Sequence, residues 1–286
     1  MNYGTKLLQR LEKTTQTAEK PLVLIGIFDC ISAAIATKNS LVEALFISGL
    51  GVTASRLGWP DIGFLTPEIV RDMLIQTREN HPTHHIIVDI DGGLGNQNVM
   101  THVVKMMSTH GASAFTIEDQ KDETKRCGHL GGKQVISLQH YQEKLDLALK
   151  NCGKACVIAR TDAPNFDDAL ERVNMASTMG APIVLVDGLD TIVKVKEIKN
   201  AANNAYVMIN FIQGGKLPPI SLSELKDSHV NIVNYSIPLL EPAMTTMANS
   251  LTELFDNDGS ITDEATIGLK GYNELVHGVW QNFTSP

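Results

Sequence analysis

No run of about 18 consecutive apolar residues occurs in this chain, so no segment has the length to cross a bilayer as a helix. Positive charge is not in excess either: 24 Lys and Arg stand against 32 Asp and Glu, a formal charge of -8. A basic face suited to nucleic acid or an anionic membrane is therefore not expected. A small anionic substrate stays open, since a few cations in one cleft suffice. Cysteine is scarce. The four are Cys30, Cys127, Cys152 and Cys156, and although the last two are spaced C-x3-C, no second Cys or His pair completes a zinc site. The opening MNYGTKLLQRLEKTTQTAEKP has no apolar stretch after its early lysine and does not read as a signal peptide. Reduced thiols and a cytoplasmic location are the expectation. Low-complexity linkers are absent, so residues 1–286 read as a single domain.

What is present is a regular alternation. Of the 286 residues, 43 % are apolar and 20 % charged, enough for both a sizeable core and a wet surface. Short apolar or β-branched runs predict strands at Leu22–Ile27, Ala44–Ser48, His85–Ile90, Ala114–Glu118, Ala155–Ala159, Ile183–Val186, Tyr206–Asn210 and Asn231–Tyr235. Between them, helical patterns run over Pro67–Glu79, Asn98–His110, Leu138–Lys150, Phe166–Met179 and Thr191–Ala201. Thr66 followed by Pro67 is a helix-start signal. Alternation of this kind points to parallel strands with crossover helices, and the strand count to a (β/α)8 TIM barrel. An open doubly wound sheet competes, because periodicity does not report closure. A further helix, Ala265–Gln281, lies beyond the eighth unit as a C-terminal extension suited to subunit packing.

In a barrel, catalytic groups sit just past the C-terminal ends of the strands, and polar residues recur at those ends here. Asp89 and Asp91 lie two apart and share one strand face. Two such carboxylates repel unless a cation stands between them, and Mg2+ is the usual hard-oxygen partner; loop-capping aspartates are the alternative. Glu118 and Asp119 at the next strand end strengthen the metal reading. Cys127 sits in KRCGHLGGK, beside Lys125, Arg126 and His129, where the cations favour thiolate. It suits a general acid/base, with nucleophilic Cys/His catalysis as the competing role. Arg160 ends a strand and suits bidentate carboxylate binding, or else a structural ion pair with Asp162 or Asp187. Ser48, Gly49 and Gly51, in SGLG, offer a hydroxyl and amides to an anion. The G-x-G-x-x-A match there lacks an acidic ribose partner and is set aside.

Taken in order, SGLGVTASRLGWPDIG, VDIDGGLGN, IEDQ…KRCGH…GGK, IARTDA and the IN strand resemble the phosphoenolpyruvate mutase/isocitrate lyase superfamily, most nearly its methylisocitrate lyase-like branch. The resemblance runs from about Phe28 to about Pro238. It implies a (β/α)8 barrel that exchanges its eighth helix within a dimer, the dimers pairing as a homotetramer. It implies a Mg2+ site (Mn2+ the alternative ion) at Asp89 and Asp91 with Asp61 and Glu118. It implies Cys127 as the acid/base in a mobile loop with Lys125, Arg126, Gly128 and His129. Ser48, Gly49, Arg160 and Asn210 match positions that hold the substrate's carboxylate and neighbouring oxygens, and Asp187 falls where the family has glutamate. The implied reaction is retro-aldol cleavage of a 2-hydroxy di- or tricarboxylic acid, 2-methylisocitrate-like or substituted malate-like, to an oxo acid plus a carboxylic acid. Oxaloacetate-type C–C hydrolysis is the alternative, phosphonate chemistry a more distant one, and an anion-binding barrel without catalysis the non-enzyme reading.

Three departures bear on the substrate. The family's DADTGYG is DIDGGLG here, so Gly92 and Leu94 remove a hydroxyl and a ring from the rim. The methylisocitrate lyases' TEFG after the strand-seven asparagine becomes Phe211, Ile212, Gln213 and Gly214. Phe46 stands where a tyrosine would donate a hydrogen bond. Each change favours a smaller or less charged acid.

Overall fold

The computed structural model describes residues 2–16, 19–260 and 266–284. Its strands are β1 (Leu22–Ile27), β2 (Ala44–Ile47), β3 (His85–Asp89), β4 (Ala114–Ile117), β5 (Cys156–Thr161), β6 (Ile183–Val186), β7 (Tyr206–Phe211) and β8 (Ile232–Tyr235). All neighbours are parallel, and β8 pairs back onto β1 through Leu22↔Ile232 to Ile25↔Tyr235. The sheet is thus a closed barrel, and the open-sheet alternative falls. The helices are α1 (Tyr3–Gln16), α2 (Cys30–Thr37), α3 (Gly49–Leu57), α4 (Pro67–Asn80), α5 (Gln97–Thr109), α6 (Leu138–Asn151), α7 (Phe166–Thr178), α8 (Ile192–Ala201), α9 (Leu222–Asp227), α10 (Leu240–Asp256) and α11 (Gly268–Thr284). Thr66 caps α4, accepting from the Ile69 amide, with Pro67 in the first turn where its missing N–H costs nothing.

Alternation along each strand sorts its side chains into two layers. Outward residues such as Ile86, Val88, Val157, Val184 and Val207 pack under the helices. Inward residues such as Leu24, Phe46, Ile87, Ile158, Leu185, Met208 and Ile232 fill the barrel. The same inward face turns polar one step nearer the C-terminal end, at Ser48, Asp89, Thr116, Arg160, Asp187, Asn210 and Asn234. The opposite end is plugged. Leu7 and Leu11 of α1 are fully buried among the inward residues, and the Gly4 amide donates to the Lys154 carbonyl at 3.1 Å. Periodicity alone leaves α1 unassigned, because its apolar stripe is narrow; with the bottom sealed, the C-terminal mouth is where a ligand can enter.

Strand β5 extends beyond its expected end, to Thr161, so Arg160 lies within the strand. Its guanidinium is paired with carboxylates, and a polar residue so satisfied does not end a buried strand. Helix α11 starts at Gly268; the expected start at Ala265 lies outside the described residues. It packs back against α4 and α2. Helix α10 stands away from the barrel, with Leu240 its one buried residue.

Candidate active site

The polar strand ends converge on one narrow cavity. It is lined by Phe46, Ser48, Leu50, Asp61, Asp89, Thr116, Cys127, Gly128, Arg160, Leu185, Asp187, Asn210, Ile212, Asn234 and Ser236, and holds about 20 Å³ of open space, roughly one water molecule. Residues from seven strands and from the KRCGH loop therefore face one small volume. The thiol loop and the aspartates occupy the same pole.

Arg160 is the hub. Its Nε and Nη2 donate to Asp162 at 2.8 and 3.2 Å, and Nη2 also meets Asp187 at 2.8 Å and Glu118 at 3.2 Å. Nη1 keeps only a distant approach to Asp89, 3.8 Å, and so has capacity left on the cavity side. Both pairings that the sequence offered as structural alternatives, Asp162 and Asp187, are made. Asp187 is itself occupied: its Oδ1 accepts from Asn210 Nδ2 at 3.1 Å and from the Gly188 amide at 2.9 Å. Asn210 in turn accepts from Asn234 at 2.9 Å and from Ser236. Asp187, Asn210 and Asp162 thus orient Arg160, and Asn234 and Ser236 join them although sequence motifs do not single these two out. The signal was available: Asn234 and Ser236 continue the inward alternation of Ile232.

A second cluster surrounds the ammonium of Lys125, which lies 3.1 Å from Asp91, 3.2 Å from Glu118 and 3.7 Å from Asp61. Burial lowers the Lys125 pKa, but Glu118, Asp91 and Asp61 outweigh it and leave the ammonium firmly charged. Burial pushes the Asp91 carboxyl up to about 6 and that of Glu118 up to about 8, with Lys125 and Arg160 opposing. Asp61 is also raised by burial. Asp89 is held by Thr116 Oγ1 at 2.9 Å and by the Asp91 amide at 3.2 Å, and Gly49 backs onto it. Asp91 Oδ1 and both Glu118 oxygens are buried without a well-aligned hydrogen-bond donor, and Asp91 holds φ 47, a strained backbone for a non-glycine. Three carboxylates around one cation, with Asp89 as a further hard oxygen donor, fit a divalent ion of the Mg2+ type. Among the described residues no three of them already form a closed ligand cage. Asp119 does not belong to this set. Adjacent strand residues face opposite ways, and Asp119 accepts from Thr161, the Asp162 amide and Arg172 instead.

Cys127 lines the cavity, but not as the flanking cations suggest. Arg126 turns outward, exposed, with Nη1 on the Gly131 carbonyl at 3.0 Å, so it lies apart from the other candidates. Lys125 is committed to its carboxylates. Burial raises the Cys127 pKa, the His129 amide lowers it, and Asp187 and Asp61 raise it further; the thiol is held protonated, not favoured as thiolate. The His129 ring is engaged elsewhere, with Nδ1 accepting from the Lys216 amide at 3.4 Å and Nε2 at 3.4 Å from Asp187. Burial lowers its pKa and keeps it neutral. Gly128 lies so close to Asp187 and Arg160 that a Cβ would fall 2.0 Å from Asp187 Oδ2; only glycine lets the loop close this far.

Ser48 caps α3, its Oγ accepting from the Gly51 amide at 3.2 Å. Gly51 therefore spends its N–H on the cap and lies outside the cavity lining, whereas Ser48 faces it. Of the residues replacing TEFG, Ile212 lines the cavity, Phe211 stacks on Tyr235 at 5.6 Å in the outer layer, and Gln213 is exposed. Gly92 and Leu94 border an opening of about 240 Å³ that reaches Asp91 and Lys125.

The phosphoenolpyruvate phosphomutase family model matches residues 11–255. The chain is 32 % identical to the chloroplastic carboxyvinyl-carboxyphosphonate phosphorylmutase of Arabidopsis thaliana over 90 % of this chain and 78 % of that one. It is 28 % identical to the 2,3-dimethylmalate lyase of Eubacterium barkeri over 96 % and 94 %. A solved structure of oxaloacetate acetylhydrolase with 3,3-difluorooxalacetate superposes with a TM-score of 0.88 at 26 % identity, covering 98 % of this chain and 95 % of that one. Relatives of the chain include enzymes named 2,3-dimethylmalate lyase and 2-methylisocitrate lyase, so the non-catalytic reading gives way to an enzyme. With a closed eight-stranded barrel, a cysteine-bearing loop over its mouth and a family model covering most of its length, the chain belongs to the phosphoenolpyruvate phosphomutase family, within the PEP mutase/isocitrate lyase superfamily.

Proposed function

We propose that the protein is a divalent-metal-dependent carbon–carbon lyase that cleaves a 2-hydroxy diacid of the substituted-malate type. The observation that carries this reading is the placement of a protonated Cys127 thiol in the same cavity as Asp89, Asp61 and Arg160. Arg160 Nη1 and Ser48 bind the substrate carboxylate, and the Asn210–Asp187 pair keeps Arg160 from rotating. The 2-hydroxyl gives its proton to the carboxylate cluster of Asp61, Asp91 and Glu118, the C2–C3 bond breaks, and its electron pair passes to the departing acid as an enolate. Cys127 delivers a proton to that carbon and is reprotonated once products leave, balancing the proton lost from the hydroxyl. Asp61, Asp89, Asp91 and Glu118 would hold Mg2+ or Mn2+, which when bound supplies charge stabilisation to the substrate's oxygens. Phe46, Leu50, Leu185 and Ile212 give part of the cavity apolar walls, which favours a dialkylmalate over a 2-methylisocitrate-like tricarboxylate. A diacid is larger than the space under the closed loop, so the loop opens for entry and closes to exclude water.

A second reading, hydrolysis of an oxaloacetate-like acid, is favoured by the small size of the closed cavity. One assay separates the two. Purified protein is incubated with Mg2+ and a panel of alkylmalates, 2-methylisocitrate, oxaloacetate and phosphonopyruvate, with a chelator control. Pyruvate from an alkylmalate, abolished by chelation, is expected. Oxalate from oxaloacetate with inert malates overturns the lyase reading in favour of the hydrolase.

A further inference from the structure

Lys133, the last residue of KRCGHLGGK, has no part in the scheme above, yet its ammonium is buried beneath the loop that carries Cys127. Its side chain is 6 % exposed, and it donates to Asp162 Oδ1 at 2.8 Å and to the carbonyl of Gly128, the residue after Cys127. Asp162 is fixed to the barrel, with its amide on Asp119 at 2.9 Å and its carboxylate on Arg160 Nε at 2.8 Å. Burial works against the Asp162 charge, yet Arg160 and Lys133 together hold its carboxyl below the ordinary range. On the other side, Gly128 rests against Asp187 and Arg160, and its carbonyl lies against Gly188. One ammonium therefore links a rigid strand end to the backbone beside the thiol.

The need for such a link follows from the loop itself. With Gly128, Gly131 and Gly132 in one short stretch, the backbone has little stiffness of its own. Arg126 points to solvent, and Leu130 is exposed. Taking an ammonium out of water is costly unless its partners meet it in the right geometry. Asp162 and the Gly128 carbonyl meet Lys133 together only when the loop is fully down, so the contact favours one loop position over the many that three glycines allow.

We propose that Lys133 is a positioning residue, which by clasping Asp162 and the Gly128 carbonyl holds the loop closed and sets the Cys127 thiol against the Arg160 edge of the cavity. Cys127 as proton donor comes from the proposed lyase function; the clasp itself does not depend on turnover, and neither does its first test. The intact protein is treated with iodoacetamide without substrate, and labelling is followed by peptide mass. Cys30 on α2, half-buried with its Sγ on Gln76, serves as internal reference. Lys133→Met is expected to label Cys127 about tenfold faster by shifting the loop toward open states, with Cys30 unchanged. Lys133→Arg, which keeps a cationic donor near Asp162, restores most of the protection. If Lys133→Met fails to fold, Lys133→Gln, which removes the charge but keeps a shorter polar side chain and leaves Asp162 on Arg160, is expected to label fast as well. Wild-type labelling rates at Cys127 in a folded variant overturn the proposal. Where an alkylmalate is turned over, kcat falls in Lys133→Met with little change in KM, and Lys133→Arg recovers it; a rise in KM alone also overturns it. Fast Cys127 labelling with no turnover of any acid would sink the lyase reading and leave the clasp standing.

Discussion

At Cys127 two influences oppose each other. Burial and the Asp187 and Asp61 carboxylates disfavour the thiolate; the His129 amide and the Arg160 guanidinium favour it, and burial is the largest effect. A raised pKa means that the thiol keeps its proton to higher pH than a free cysteine, whose pKa is about 8.5. The rate dependent on it should be flat through neutral pH and fall only on the alkaline side of that value. A pH profile of kcat/KM checks this, and a rate that instead climbs as the thiol ionises would assign the work to thiolate. Cys127→Ser keeps the shape but not the acidity, so kcat should drop by about 10²–10⁴-fold, while titration calorimetry still detects diacid binding. If the substituted enzyme turns over at the native rate, the proton comes from elsewhere.

At the scale of elements, the mouth and the bottom of the barrel carry opposite electrostatic designs. The mouth gathers charges that pair with one another. The bottom buries neutral histidines: His81 and His84, in contact at 5.7 Å between rings, and His85 at the start of β3, all near Arg78. Burial lowers His81 and His85 to about 4, with His84 and Arg78 adding to it at His81 and Glu43 opposing it at His85, and burial lowers His84 too. The unfolded chain binds protons at these sites near pH 6.5, the folded chain only near 4, so between those values unfolding takes up protons. Stability is therefore full above about pH 6.5 and declines as pH falls toward 4. Thermal melts across this window should show Tm falling with acid, and less steeply in His85→Gln. Parallel slopes in the two proteins would remove His85 from the account. Arg78 holds this end together, with its guanidinium on the carbonyls of Gly111, His81, Pro82 and His84.

For the whole molecule, the unusual feature is the pair of C-terminal helices. Met244, Met247, Leu251 and Phe255 form a stripe along α10 at helical spacing and are 56, 58, 58 and 78 % exposed. An apolar face of that extent on a helix standing off its own barrel marks an interaction surface. We propose that a second copy covers it, as the family resemblance implies, in a homo-oligomer. Light scattering after gel filtration should give a multiple of the single-chain mass, and Leu251→Asp/Phe255→Asp a smaller species. A monomeric native protein would refute this. Among the described residues no helix is long and apolar enough to cross a membrane.

The eight strands, six of the helices and the polar strand ends were readable from the sequence by itself, because side-chain period and capping are local properties. The family motifs, each a short contiguous string, were readable for the same reason. Closure of β8 onto β1 was not, nor the burial of Leu7 and Leu11 in the barrel floor, since both join segments distant in sequence. The tertiary structure also decided the roles of neighbours within KRCGHLGGK: Lys125 turns in among Asp61, Asp91 and Glu118, Arg126 turns out, and Lys133 reaches Asp162. The protonation of Cys127 was decided there as well. Sequence adjacency to two cations suggested thiolate, but the charge state of a group follows its burial and the distances to charges in space, and those exist only once the chain has folded.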